Sequence, residues 1–153
     1  MRAVVQRVTE ASVSIDGMAV GSIGLGFLVL LGVGQSDTEA EVERLWSKIF
    51  KLRIFGDGEK PTGASLADVD GEVLVVSQFT LYADCRKGNR PSFTAAGEPQ
   101  ESKRLYEMFV ARASQDVRHV AHGEFGADMQ VHLVNDGPFT ICLDTDELSR
   151  PRK

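Results

Sequence analysis

The chain has 153 residues, 42% of them hydrophobic and 25% charged, which suits one compact domain with a sizeable core. Its net charge of -5 excludes a protein that coats nucleic acid through bulk electrostatics, and its longest apolar stretch, around Phe27 to Val33, is too short to span a membrane. Cys85 and Cys142 lie far apart without C-x-x-C spacing, and Met1 to Val8 has no signal-peptide core. Neither a disulfide framework nor a zinc site is expected, and a soluble, cytoplasmic chain is.

Residues 2 to 8 and 11 to 16 alternate in character and are split by Thr9-Glu10, which predicts a hairpin or two successive strands. A short strand over 19 to 23 leads through Gly24-Leu25-Gly26 into the apolar run Phe27 to Leu31, read as a central strand covered on both faces. Gly32-x-Gly34 follows without the third glycine of a dinucleotide-binding turn, and two glycines also serve any sharp strand exit. Thr38 and Glu41 have capping-box spacing ahead of Val42, Leu45, Trp46, Ile49 and Leu52, predicting an amphipathic helix over 38 to 52.

Residues 56 to 71, with Gly56, Gly58, Pro61, Gly63 and Gly71 among polar residues, read as a mobile loop with nothing to give the core. A strand over about 72 to 79 and a basic turn precede a second helix. That helix has Pro99 in its first turn and Leu105, Met108, Phe109 and Arg112 on one face. Apolar stretches near 117 to 121, 128 to 134 and 139 to 143 complete the order, and Ser149 to Lys153 read as a loose tail. No repeat or linker divides residues 1 to 153, so one domain is expected.

Two segments, Ser77-Gln78-Phe79-Thr80-Leu81 and Asn135-Asp136-Gly137-Pro138-Phe139-Thr140, end apolar runs with polar groups that read as emerging from the core into a cleft. Thr80 is the candidate hydroxyl nucleophile, but no histidine, lysine or aligned glutamate stands nearby to activate it. In the other reading Ser77 and Thr80 close the strand by bonding to backbone. Gly137-Pro138 is either an ordinary turn or a place where glycine admits a ligand to the backbone and main-chain oxygens recognise it.

Arg86, Lys87 and Arg90 around Gly88-Asn89 are either a solvated turn or a phosphate contact. His119 and His122, at an odd spacing on a strand, face opposite sides and do not suit a metal pair, and His132 reads as outward-facing. Cys85 sits beside Arg86 and Lys87, which would lower a thiol pKa, yet no base accompanies it.

Together, Gln6-Arg7-Val8, Arg53-Ile54-Phe55, Ser77 to Leu81, Arg90-Pro91-Ser92-Phe93, Phe125-Gly126-Ala127-Asp128-Met129 and Asn135 to Thr140 resemble the D-aminoacyl-tRNA deacylase family, in the same order from residue 1 to about 145. The expected architecture is a single three-layer α/β domain, its mixed β-sheets forming a barrel-like core covered by two helices. The resemblance implies hydrolysis, without metal or cofactor, of the ester between a D-amino acid or glycine and the 3' end of tRNA. It also implies a homodimer in which the Gly137 and Pro138 carbonyls of one subunit exclude L-amino acids from the pocket of the other. Ser77, Gln78, Phe79 and Thr80 would form the catalytic wall, with Phe79 near the terminal adenine and the substrate's own 2'-hydroxyl assisting water. By the same resemblance Phe125 and Met129 line the pocket, Arg7 orients the Gly-Pro loop, and Arg86, Lys87 and Arg90 meet tRNA phosphates.

Two departures stand out: Phe139 where the family usually has valine, and Glu59 to Ala64 where it has a Gly-Lys-Met-Asn stretch. The competing readings are a nucleic-acid-binding homodimer without hydrolysis and a metabolite-binding scaffold.

Overall fold

The computed structural model describes residues 1–151; Arg152, Lys153 and the side chain of Pro138 lie outside the described residues. The chain runs β1 (Arg2–Ile15), β2 (Met18–Ile23), β3 (Gly26–Gly32), α1 (Glu39–Phe50), β4 (Glu72–Ser77), α2 (Pro99–Asp116), β5 (Val120–His122), β6 (Gln130–Asp144) and α3 (Thr145–Leu148). A 3-10 turn, Phe79–Tyr82, follows β4. The sheet order is β2-β1-β3-β4-β5, with β6 on the other side of β1; β3, β4 and β5 are parallel and the remaining pairings antiparallel.

The hairpin or strand pair expected over residues 2 to 16 is one strand that changes partner. Residues 2 to 8 of β1 pair with β3, residues 11 to 15 pair with β2, and β6 runs along the opposite edge throughout. Bulges in the β6 ladder around Val8 shift the side-chain alternation. Ala3 and Val5 pack in the core shared with the helices, whereas Val8, Ala11 and Val13 pack in a second cluster with Ile23, Leu28, Leu74, Val76 and Ala121.

The bend brings β2 round towards β5, where a Cβ on Gly21 would stand 3.0 Å from the His122 carbonyl, so the sheet forms a nearly closed barrel around that second cluster. His119 lies across the same seam, its Nε2 2.8 Å from the Ser22 carbonyl. The alternation along β3 shows why its apolar run is unbroken. Phe27, Val29 and Leu31 face the helices and Leu28 faces the barrel interior.

The capping box on α1 is present, with Thr38 and Glu41 exchanging bonds, and Val42, Leu45, Trp46 and Ile49 are buried. Trp46 meets Phe109 of α2 edge-on at 5.7 Å and donates to Asp116 at 2.9 Å. The buried face of α2 carries Leu105, Tyr106, Phe109 and Ala113. Arg112, expected on that face, instead bridges to Glu43 on α1 and to Asp116. The extended loop before β4 does reach the core, since Leu66 is 1% exposed.

The stretches near 128 to 134 and 139 to 143 belong to one strand, β6, and a third short helix follows it. Ser149 and Arg150 extend its last turn by donating to the Thr145 and Glu147 carbonyls, Pro151 follows without regular structure, and the last two residues of the expected tail, Arg152 and Lys153, lie outside the described residues.

Tyr106 ties α2 to the sheet by donating to the Val75 carbonyl at 3.0 Å, and burial pushes its hydroxyl pKa up to about 12. Because the folded pKa is the higher one, the stability it confers is complete below the ordinary tyrosine value near 10 and is lost as pH rises towards 12. Tyr106→Phe should cost about 1 kcal/mol at pH 8. Urea unfolding repeated across pH 9 to 12 should show a shallower alkaline decline than wild type; an identical decline would show that Tyr106 does not contribute to it.

Candidate active site

The three parallel strands end on one rim. Gly32 to Gly34 leave β3, Ser77 to Tyr82 leave β4, and Gly123 to Met129 leave β5, and the carboxyl ends of parallel strands are where such sheets place their ligands. The 3-10 turn after β4 folds back over the end of β3. Gln78 donates its N–H to the Leu31 carbonyl at 2.7 Å, Leu81 donates to the Gln78 carbonyl at 3.2 Å, and Ala83 donates to the Thr80 carbonyl at 3.0 Å.

That fold-back explains the glycine pair. A Cβ on Gly32 would come within 2.9 Å of the Gln78 carbonyl and 3.1 Å of the Leu81 side chain; one on Gly34 would come within 2.7 Å of the Tyr82 hydroxyl. The two glycines clear space for the turn.

Within the turn, the Gln78 side-chain amide donates to the Thr80 hydroxyl, and among the described residues no base contacts that hydroxyl. Among the described residues Ser77 makes no side-chain hydrogen bond there and Thr80 bonds to a side chain, not to backbone, so the strand-closing reading does not describe this turn. Neither the Phe79 nor the Thr80 N–H donates to another backbone group among the described residues, as befits the first amides of a helical turn. Phe79 is 57% exposed and meets Phe93 edge-on at 5.0 Å.

Residues without a sequence motif brace the turn from below. The Arg2 guanidinium stacks 4.5 Å from the Tyr82 ring centre while donating to the Leu81 carbonyl at 3.0 Å and to Asp144 at 2.9 Å. Asp37 accepts from the Gly34 N–H at 2.6 Å, from the Met1 ammonium at 2.5 Å and from the Tyr82 hydroxyl at 3.4 Å. Burial and the Asp37 carboxylate raise the Tyr82 pKa well above its ordinary value, so the hydroxyl stays a donor. The spacing of Gly32 and Gly34 was the one sequence signal of this arrangement.

Phe125 and Met129 reach the rim from the loop after β5. Gly123 donates to the Val75 carbonyl at 3.2 Å, the Met129 sulfur fills the space a Cβ on Gly123 would need, and Phe125 packs on Tyr106 with ring centres 5.9 Å apart. A cavity of about 630 Å³ opens there between α2 and the β5 exit, lined by Val20, Tyr106, Val110, Gly123 and Phe125.

Gly137 and Pro138 lie elsewhere. In the β1–β6 ladder Gln6 pairs with Thr140 and Val8 with Asn135, so residues 136 to 139 bulge out opposite the single residue Arg7. Arg7 holds the excursion: its Nε donates to the Asp136 carbonyl at 3.0 Å and lies 3.1 Å from the Asp136 carboxylate. Its Nη1 donates to the Ile54 carbonyl at 2.5 Å, and its guanidinium sits 4.4 Å from the Phe139 ring centre. Phe139, the departure from the family pattern, thus packs under the arginine. Asn135 closes the base by donating to the Arg7 and Phe139 carbonyls.

Register measures the separation between the two motifs. Ser77 aligns through Leu31 and Ala3 with Leu143, three strand spacings or about 14 Å across the sheet. The excursion faces Arg7, four residues further along β1 from Ala3, or about 13 Å. No side-chain hydrogen bond or ion pair among the described residues joins the two.

The basic turn is only partly free. Arg86 grips Asp84 with two bonds, at 2.9 and 2.6 Å, and the guanidinium holds the Asp84 carboxyl down to about 2; Lys87 and Arg90 are exposed without an ion pair among the described residues. Among the described residues no three His, Cys, Asp or Glu side chains cluster as a metal ion requires.

Gly32→Ala should destabilise the chain by about 2 kcal/mol in urea unfolding, since its new methyl meets backbone. Gly24→Ala, whose Cβ would meet nothing nearer than Glu72 at 3.8 Å, should stay within about 0.5 kcal/mol of wild type. Equal effects at the two positions would mean that the close approach of the turn does not matter.

Residues 4–144 match the family model described as D-Tyr-tRNA(Tyr) deacylase. A protein of Lacticaseibacillus casei named D-aminoacyl-tRNA deacylase is 58% identical over 95% of this chain and 99% of its own. One of the same name from Desulfitobacterium hafniense is 53% identical over 96% and 99%. Among solved structures, one named c-Myc DNA Unwinding Element Binding Protein superposes with a TM-score of 0.89 at 44% identity, covering 94% of this chain and 98% of that one. A probable eukaryotic D-amino acid tRNA deacylase, 17% identical over 93% and 97%, shares the fold with a TM-score of 0.80. With the Ser77 to Leu81 and Asn135 to Thr140 segments both inside the matched span, the chain belongs to the D-Tyr-tRNA(Tyr) deacylase family.

Proposed function

We propose that this chain hydrolyses the ester linking a D-amino acid, or glycine, to the 3'-terminal ribose of tRNA, and that it does so as a homodimer. The observation that carries the chemistry is the environment of Thr80. Its hydroxyl is occupied by Gln78 and lacks a base, while the adjoining Phe79 and Thr80 amides have no backbone acceptor among the described residues. Such a wall suits electrostatic stabilisation of an oxyanion better than nucleophilic attack.

Water adds to the ester carbonyl carbon and loses a proton towards the substrate's 2'-hydroxyl. The tetrahedral oxyanion faces the free amides. The bond to the 3'-oxygen then breaks, that oxygen takes the proton relayed through the 2'-hydroxyl, and a free amino acid and tRNA leave. Ser77, Gln78, Phe79 and Thr80 position the ester, and Phe125 and Met129 bound the space beside it.

The chirality gate comes from the partner. On its own chain the Gly137-Pro138 excursion is set about 13 Å along and 14 Å across the sheet from Ser77. A second copy supplies what the rim lacks. Its Gly137 and Pro138 carbonyls would clash with an L-substituent and leave room for hydrogen or a D-substituent. The long edge strand β6, with Leu133 and Val134 exposed, is the kind of surface that another chain covers. Arg7 orients the excursion through Asp136.

Lys87 and Arg90 meet tRNA phosphates, while Arg86, paired with Asp84, shapes the loop instead. No helix is long and apolar enough to cross a membrane, and the cytoplasm, where aminoacyl-tRNA is made, is the proposed location. The 44% identical structure is named for binding a DNA unwinding element, which favours a second reading, a nucleic-acid-binding dimer without hydrolysis.

Purified protein should deacylate D-Tyr-tRNA and Gly-tRNA and spare L-Tyr-tRNA; cleavage of none would leave the second reading standing. Thr80→Ala should retain activity within about fivefold, and a substrate ending in 2'-deoxyadenosine should lose at least about a hundredfold. Normal turnover on the deoxy substrate would exclude assistance from the RNA. Arg7→Met should raise cleavage of L-Tyr-tRNA relative to D-Tyr-tRNA by about tenfold, and an unchanged ratio would separate Arg7 from the gate.

A further inference from the structure

Phe93 has no role in the chemistry above, yet the fold takes trouble to present it. The Asp84 and Ser92 backbones exchange two hydrogen bonds, at 2.7 and 2.9 Å, which clasp the ends of the basic loop and return Phe93 onto Phe79. Arg86 braces the loop against Asp84, and the Gln35 side chain holds the Thr94 carbonyl from the β3 side. The two rings meet edge-to-face at 71°, and Phe93 remains 38% exposed. Two aromatic rings left in water at a rim, with Lys87 and Arg90 in the loop that Asp84 and Ser92 clasp, invert the local character of a chain whose net charge is -5. Flat apolar surface flanked by cations suits unstacked bases on a phosphate backbone.

We propose that Phe93 is a stacking platform for the unpaired base preceding the terminal adenosine of the tRNA 3' end, a substrate-positioning residue distinct from the wall that faces the ester. It rests on the deacylase reading, and it adds a second ring to Phe79. The terminal nucleoside lies against Phe79, the preceding base covers the exposed surface of Phe93, and Arg90 and Lys87 follow the phosphates leading away. Because every base has a π face, this contact holds all tRNAs alike, whatever amino acid they carry.

The test is a cycle between the protein and a non-reactive RNA minihelix ending in single-stranded CCA, with either an intact or an abasic nucleotide at the penultimate position. Wild-type protein should bind the abasic minihelix about tenfold more weakly. Phe93→Leu should bind the intact one equally weakly and lose nothing further with the abasic one, whereas Phe93→Tyr should behave as wild type. On D-Tyr-tRNA, Phe93→Leu should raise KM about tenfold with kcat and melting temperature unchanged.

Independent losses from the two changes, or Phe93→Leu with unaltered binding and KM, would overturn the proposal while leaving the deacylase reading intact. Should Phe93→Leu fail to fold, wild-type binding that is indifferent to the abasic site overturns it alone. Coupled binding without any deacylation by wild type would support the platform and refute the deacylase reading.

Discussion

Everything in this molecule hangs on β1 serving two pairings along one edge. Had its fourteen residues kept one partner, the sheet would be open, and the barrel interior around Leu28 and Leu74 would face water. Bulges near Val8 let the strand hand over from β3 to β2 while turning its apolar side chains to the new interior. The same irregularity lets β6 throw out residues 136 to 139 opposite Arg7. Barrel closure and the presentation of Gly137 are therefore two consequences of one local break in register, and a change that straightened β1 would disturb both.

On the proposed mechanism the rim requires little side-chain chemistry. Its arrangement comes from main chain: a tight turn laid over glycines, two amides without a backbone acceptor among the described residues, and a carbonyl-bearing excursion held by an arginine. Main-chain groups are useful only if their frame does not move, and the bracing reflects that. Arg2 engages the turn by stacking on Tyr82 and bonding to Leu81, while Asp37 joins the turn to the base of β3. On the proposed mechanism the task of both is to hold amides in place for a charge that exists only in the transition state.

Much of this was legible in sequence wherever one residue type has one physical use. The capping box of Thr38 and Glu41, Pro99 at a helix start and the two-faced apolar run of β3 each appear as read. What escaped was long-range. Thr9-Glu10 looked like the break of a hairpin or between two strands because a bulge and a turn both interrupt alternation, and only partner strands tell them apart. Leu66 was hidden among glycines and polar residues because its burial depends on a distant core. Gly32 and Gly34 carried a real signal of close approach, but the approaching group, the turn at Gln78 to Tyr82, lies more than forty residues on. Arg86 was grouped with Lys87 and Arg90 from sequence, and the ion pair that it makes with Asp84 is visible only in the fold.

A chain of net charge -5 that handles a polyanion poses a final question of balance. The acids are not spread evenly. Glu39, Glu43, Glu101 and Asp116 are tied up with Arg104 and Arg112 across the outer face of the helices, while the loop beside Phe79 leaves Lys87 and Arg90 without partners among the described residues. Lys87 and Arg90 thus form a local positive patch on a negative chain, which on the proposed function would orient a tRNA without gripping it. On the proposed function, two phosphate contacts would also give a weak salt dependence and fast release. For a protein proposed to sample every aminoacyl-tRNA and act only on those whose amino acid escapes the carbonyl gate, tight binding would trap the majority it must let go. Specificity then resides in the exclusion at Gly137 and Pro138, and affinity is held down by the charge of the fold as a whole.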